Sequence, residues 1–192
     1  TESKFLSTKS SFSNNNAIDT NSVVSLSTSS QATSGTFSLT VNNLARETKL
    51  VSDGFSSTSG AVTQGTIVIV AGGTSATITI DSSNDTVAGL RLAINNSGLN
   101  VKATFLNDGS STNPLRLVLS GTQTGSDNSV SVTGSIVSFS ETQPAQNSNF
   151  ILDGVSITKS NNTVTDVITG TIITLESAGS GTITLSSDTD TI

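Results

Sequence analysis

The 192-residue sequence contains no cysteine, histidine, methionine, tryptophan or tyrosine. Lacking histidine, it can form no Ser–His or Cys–His dyad and no imidazole metal site. Lacking cysteine, it has no disulfide, no structural zinc and no iron–sulfur cluster. Cations are scarce as well: eight Lys plus Arg stand against fourteen Asp plus Glu, for a net charge of −6. Nucleic acid and anionic membrane surfaces both require clustered cations, so neither is an expected partner. The longest apolar run, in 66–71, is far too short to cross a bilayer. No leader-like segment opens the sequence and there is no initiator methionine, so an excised internal piece is the expectation.

What is present is small and hydroxylated. The only aromatics are seven phenylalanines, so the core has to be assembled from Val, Ile and Leu on many short strands. A Cys-free chain fits the cytosol or a protein exported unfolded. The abundance of Ser, Thr, Asn and Gly with little Lys leans towards an extracellular surface protein.

Period-two alternation with β-branched residues dominates the pattern. Phe37, Leu39 and Val41 fall on one face, with hydroxyls on the other. Similar alternation runs through 76–80, 115–119, 130–132 and 182–185. Residues 67–70 are apolar on both faces, which suits a central strand. Gly35-Thr36, Gly65-Thr66, Gly170-Thr171 and Gly181-Thr182 read as strand openings, glycine turning the chain and threonine starting an extended segment. Asp153-Gly154 lies between Phe150-Ile151-Leu152 and Val155-Ser156-Ile157 as a primed hairpin turn requires. Asp108-Gly109 marks a longer loop whose Pro114 precedes the next strand.

One helix is expected over about 85–96, with Val87, Leu90, Ala93 and Ile94 as its apolar stripe. Asn84 is placed to cap it, Asp85 suits its N-terminal dipole, and Gly98 ends it. Val164, Val167 and Ile168 leave a short helical turn open over 162–169. Boundaries are expected in the polar stretches 56–64 and 141–149. The fold class is therefore mainly β, with two small β-rich domains, the outer inserted into the inner. The inner domain is assigned 1–64 plus 144–192, and the outer, helix-bearing one 65–143.

No catalytic, cofactor or metal site is assigned. Asp188-Thr189-Asp190 is half of a calcium pattern, but no Gly-centred loop or bidentate Glu follows. Asp81 with Asn84-Asp85 is better explained by the helix cap. Gly72-Gly73 does not open a helix, so it is not a phosphate loop. A carboxylate pair for glycoside hydrolysis would lack aromatic sugar platforms, and the carboxylates are dispersed beside turns.

Three stretches resemble flagellar filament cap proteins, also called filament-capping hook-associated proteins. The first is Gly35-Thr36-Phe37-Ser38-Leu39-Thr40-Val41-Asn42-Asn43-Leu44-Ala45, followed by Leu50 and Ser52-Asp53-Gly54-Phe55. The second runs from Thr77-Ile78-Thr79-Ile80-Asp81 through Thr86, Leu90-Arg91 and Ala93-Ile94-Asn95-Asn96 to Val101. It is similar to the "IN" motif of hook-associated and flagellin-like chains, with Ile94-Asn95 as the namesake pair. The third comprises Asn149-Phe150, Asp153-Gly154, Asn161-Asn162-Thr163, Asp166, Gly170 and Leu175. Asn95, near the helix end, is expected to satisfy a free carbonyl there.

The resemblance implies two β-rich head domains, one nested in the other, with the terminal coiled-coil legs of the family missing from both ends of this sequence. It implies a non-enzymatic structural role at the extracellular filament tip. There a ring-like homo-oligomer of the full-length protein would retain exported flagellin and promote its polymerisation; the fragment itself is compatible with a monomer. The alternatives are another surface adhesin or glycan-binding module, the outer domain of a related hook-associated protein, and a polysaccharide-acting enzyme.

Overall fold

The computed structural model describes residues 8–14 and 22–187. In chain order its strands begin with β1 (Thr8–Asn14), β2 (Val24–Thr28), β3 (Gly35–Asn43), β4 (Lys49–Ser52), β5 (Gly65–Ala71) and β6 (Thr74–Ile80). The helix α1 (Val87–Asn95) precedes β7 (Val101–Asn107), β8 (Leu115–Gly121), β9 (Val130–Gly134) and β10 (Phe139–Gln143). The remaining strands are β11 (Ser148–Leu152), β12 (Val155–Lys159), β13 (Thr163–Ile168), β14 (Thr171–Leu175) and β15 (Gly179–Ser187). The architecture is mainly β with one α-helix among the described residues, as the alternation predicts.

The chain divides into two compact units, one made of Thr1–Ala45 and Asn147–Ile192, the other of Arg46–Gln146. In the discontinuous unit, the sheet β1-β15-β3-β11-β12 and the sheet β13-β14-β2 share one core. Leu39, Val41, Phe150 and Ile183 enter it from the first sheet, and Val24, Ile173 and Leu175 from the second. The Asp153-Gly154 turn joins β11 to β12 with positive φ at both residues, 47° and 82°, as a type I′ hairpin demands.

In this unit one open reading is decided and one expectation fails. Residues 162–169 form no helical turn: β13 pairs with β14, with a bulge between Val164 and Ile168. The bulge lets Val167 pack beside Val164 and Ile168 on the core, so three neighbouring positions imitate a helical period on a strand. Gly181-Thr182 does not open a strand but lies inside β15. Glycine is required there because the Phe12 ring crosses its backbone, and any Cβ would collide with the ring and the Ser13 carbonyl.

In the continuous unit, the sheet β10-β4-β8-β7 and the sheet β6-β5-β9 enclose a core that α1 completes. β5 is central, as its two-sided apolarity predicts. The helix contributes Val87, Leu90 and Ile94, all fully buried. Thr86, not Asn84, is the N-cap: its side chain accepts from the Gly89 amide at 3.0 Å. Gly98 lies beyond the C-cap Asn96, with φ +77°.

The N-side edge of this unit falls at 45/46 rather than 64/65, and the C-side edge at 146/147 rather than 143/144. β4 pairs with β8 and β10, and Phe55 bridges Leu115, which commits 46–55 to this unit. The polar stretch 56–64 is not a linker. Thr58 and Gly60 carbonyls accept from the Ala88 and Val87 amides at the helix start, and Val62 enters the core.

Leu90 and Leu92 lie on opposite sides of α1, 0% and 52% exposed. Leu90→Ala is expected to lower the stability of this unit by about 2–5 kcal/mol. Leu92→Ala should stay within about 0.5 kcal/mol. Urea unfolding followed by circular dichroism checks both, the first as a fall in midpoint at constant slope.

Candidate functional site

The residues singled out in the sequence are positioned by turns and strand edges. Asn95 leaves the end of α1 and meets β7, an edge strand. Its Oδ1 accepts from the Ala103 amide at 2.7 Å and its Nδ2 donates to the Ala103 carbonyl at 3.0 Å. A side-chain amide carries a donor and an acceptor as a peptide group does, so Asn95 substitutes for a neighbouring strand. It therefore satisfies a carbonyl of β7, not one of the helix as expected. Its neighbour Ile94 is a core residue.

The same device recurs in the other unit. Asn162 Oδ1 accepts from the Ala45 amide at 2.7 Å, and Asn162 Nδ2 donates to the Ala45 carbonyl at 3.0 Å. The sequence displayed both asparagines and Ala45 but not Ala103, which is held through its backbone while its methyl group carries no signal. Asn43 Nδ2 adds a bond to the Asn147 carbonyl at 2.8 Å.

Among the described residues the carboxylates do not converge. Asp81 accepts from the Ser83 amide and hydroxyl at 2.8 and 2.6 Å, and those bonds hold its carboxyl below the ordinary value. Asn84 accepts from the Asp81 amide and donates to the Thr79 carbonyl, while Asp85 accepts from Gln64. Asp153 accepts from the Ser38 amide at 2.7 Å, and Asp166 pairs with Lys159 at 2.6 Å. Asp188-Thr189-Asp190 lies outside the described residues. Gly72-Gly73 forms the turn between β5 and β6, φ +56° and +79°.

Arg116 ties the 108–114 loop to its strand, with Nε 2.7 Å from Asp108 Oδ2 and a longer bond to the Ser52 carbonyl. Asp108 is held down to about 2, first by Ser110 hydrogen bonds and then by Arg116. Arg91 lays its guanidinium 4.8 Å from the Phe105 ring centre. A cavity of about 330 Å³ in the discontinuous unit is lined mainly by Ser27, Thr28, Ser29, Thr165 and Thr171. Among the described residues it offers hydroxyls and the Gln31 amide and no ionisable group.

Asn95→Ala leaves the Ala103 amide and carbonyl unpaired and should lower stability by about 1–3 kcal/mol. It should also accelerate hydrogen exchange at the Ala103 amide, read by NMR. Asn95→Asp keeps the acceptor but faces the carbonyl with a carboxylate; it should recover part of the loss only in acid, where the protonated carboxyl donates. The Asp108 carboxyl has a different pH signature. Its folded value lies below the ordinary 3.8, so its contribution is complete above that value and fades as pH falls towards about 2. Asp108→Asn should flatten that part of the acid limb in thermal unfolding across roughly pH 2–5.

No family model matches the sequence. It is 33% identical to the B-type flagellar hook-associated protein 2 of Pseudomonas aeruginosa over 177 residues, which cover 77% of this chain and 37% of the relative. The chain thus spans little more than a third of that curated relative. Its fold matches the D2–D3 domains of the Escherichia coli flagellar cap protein FliD with a TM-score of 0.78 and 25% identity, covering 95% of this chain and 100% of that one. It matches FliD (HAP2) of P. aeruginosa PAO1 with a TM-score of 0.72 and 30% identity, over 86% and 85% of the two chains. Bdellovibrio bacteriovorus FliD is also similar, with a TM-score of 0.70 and 25% identity, over 84% and 95%. The fold, the motif residues and these likenesses agree: the chain belongs to the flagellar cap protein family and matches it over the D2–D3 domains.

Proposed function

We propose that this chain is the head of a flagellar filament cap subunit, working outside the cell at the distal tip. The full-length protein forms a ring-like homo-oligomer that retains exported flagellin and promotes its polymerisation. The continuous unit, residues 46–146, is the outer head domain, and the discontinuous unit is the inner one into which it is inserted. The head works by contact and catalyses no reaction; it uses no cofactor and engages neither nucleic acid nor membrane. The match to D2–D3 domains across nearly the whole chain carries this reading. The absence of histidine and cysteine supports the non-enzymatic part.

A chimera tests it, with this chain replacing the matching segment of the P. aeruginosa hook-associated protein 2 in a strain lacking the native copy. Filaments and swimming should return. Export of the chimera accompanied by flagellin spilled into the medium and bare hooks would refute the cap reading.

A further inference from the structure

We propose that the edge of β7 at Phe105 takes an extended, carboxylate-bearing segment of a partner polypeptide, with Arg91 as the receptor for the carboxylate. The Ala103 amide and carbonyl both reach outward to Asn95. Backbone direction alternates along a strand, so Phe105, two residues on, turns the same pair of groups away from β8. Those of Ala103 are taken; those of Phe105 have no partner among the described residues.

The helix α1 runs back along this edge. Asn95 meets Ala103, and Arg91, four residues earlier, meets Phe105. Four helical residues rise about 6 Å and two strand residues about 6.6 Å, so the two side chains stand at successive outward positions of β7. Asn95 closes its position by copying a peptide group. Arg91 leaves its position open: the guanidinium lies 4.8 Å from the Phe105 ring centre. It forms no hydrogen bond or ion pair with a described residue, and its Nε is buried without a partner. A buried donor left over in this way marks a place where a further group is accommodated.

The open groups define the occupant. A free amide and carbonyl on a strand edge are matched by another extended backbone. A guanidinium steadied by an aromatic ring is matched by a carboxylate, whose two oxygens fit its fork. Lys102, exposed on the same strand, has no carboxylate partner among the described residues either. The sequence holds fourteen Asp plus Glu against eight Lys plus Arg, so anions are plentiful in the chain, yet these two cations take none. With a net charge of −6, an acidic segment is repelled over most of the surface and settles beside unpaired cations. Leu92, 52% exposed and next to Arg91, adds an apolar rim. Because Asn95 fills the Ala103 position, the segment pairs from Phe105 onward, which sets its register.

Amide NMR titration of the 192-residue chain with a blocked Thr-Val-Glu-Val-Thr peptide should move the Phe105 amide most. That peptide should bind roughly fivefold tighter than its Gln counterpart. Arg91→Gln should bring the ratio to about one while the Ala103 amide keeps its shift, the sign that the Asn95 clamp persists. In the unaltered chain the ratio should also shrink in about 1 M NaCl, an arm that needs no variant. Equal binding of the two peptides, a preference that survives Arg91→Gln, or no Phe105 response to either peptide overturns the proposal. So does a Phe105 shift that grows with protein concentration alone, as a second copy on this edge would give. The site goes beyond the cap reading and is separable from it. A working chimera without peptide binding sinks the site alone, and selective binding with a failed chimera sinks the cap reading alone.

Discussion

Every strand edge exposes amides and carbonyls that need partners, and a chain with few charges has to find those partners among neutral side chains. Asn95 and Asn162 each hold both backbone groups of an alanine. Asn84 takes the Thr79 carbonyl, Thr48 the Val130 amide and Ser52 the Leu117 amide. The abundance of asparagine, serine and threonine thus has a structural use inside the fold. The Asn95 clamp fastens the end of α1 to β7, and on that docked helix Val87, Leu90 and Ile94 complete the core.

The same constraint shows in where the described carboxylates go. Each well-placed carboxylate closes a turn or holds one cation: Asp81 with Ser83, Asp153 with Ser38, Asp166 with Lys159, Asp108 with Ser110 and Arg116. The bonds from Ser83, Lys159 and Ser110 hold the carboxyls of Asp81, Asp166 and Asp108 below the ordinary range. The cores are correspondingly apolar, with Phe150 as the largest fully buried side chain.

The strands and hairpins were legible because their signals are local. Period-two alternation marked β3, β6, β8, β9 and β15, two-sided apolarity marked β5, and Asp153-Gly154 fixed the register of β11 against β12. One error, and one reading left open, came from signals that are not local. The stretch 56–64 has the composition of a linker, yet its carbonyls serve the first turn of a helix more than twenty residues on. Val164, Val167 and Ile168 fit a helical stripe, and only pairing with Ile173 and Thr171 reveals a bulged strand. The clamps were half legible: a motif can display Asn95, but the Ala103 backbone it grips has no residue-type signature.

Insertion of one unit within another requires that each unit hold its two crossing ends together. In the continuous unit, Arg46 and Gln146 exchange both amide-to-carbonyl bonds, at 2.9 and 3.1 Å, so its first and last residues are neighbours. In the discontinuous unit, Asn43 opposes Asn149 across β3 and β11, the Asn43 side chain holds the Asn147 carbonyl, and Asn162 fixes Ala45. Loop-closure entropy rises only slowly with length. A long insertion is therefore thermodynamically tolerable wherever the host keeps its ends paired, and the asparagines at 43 and 162 keep them so. Asn43 and Asn162, which hold the two crossing ends of the host unit, both lie in stretches that carry the family resemblance.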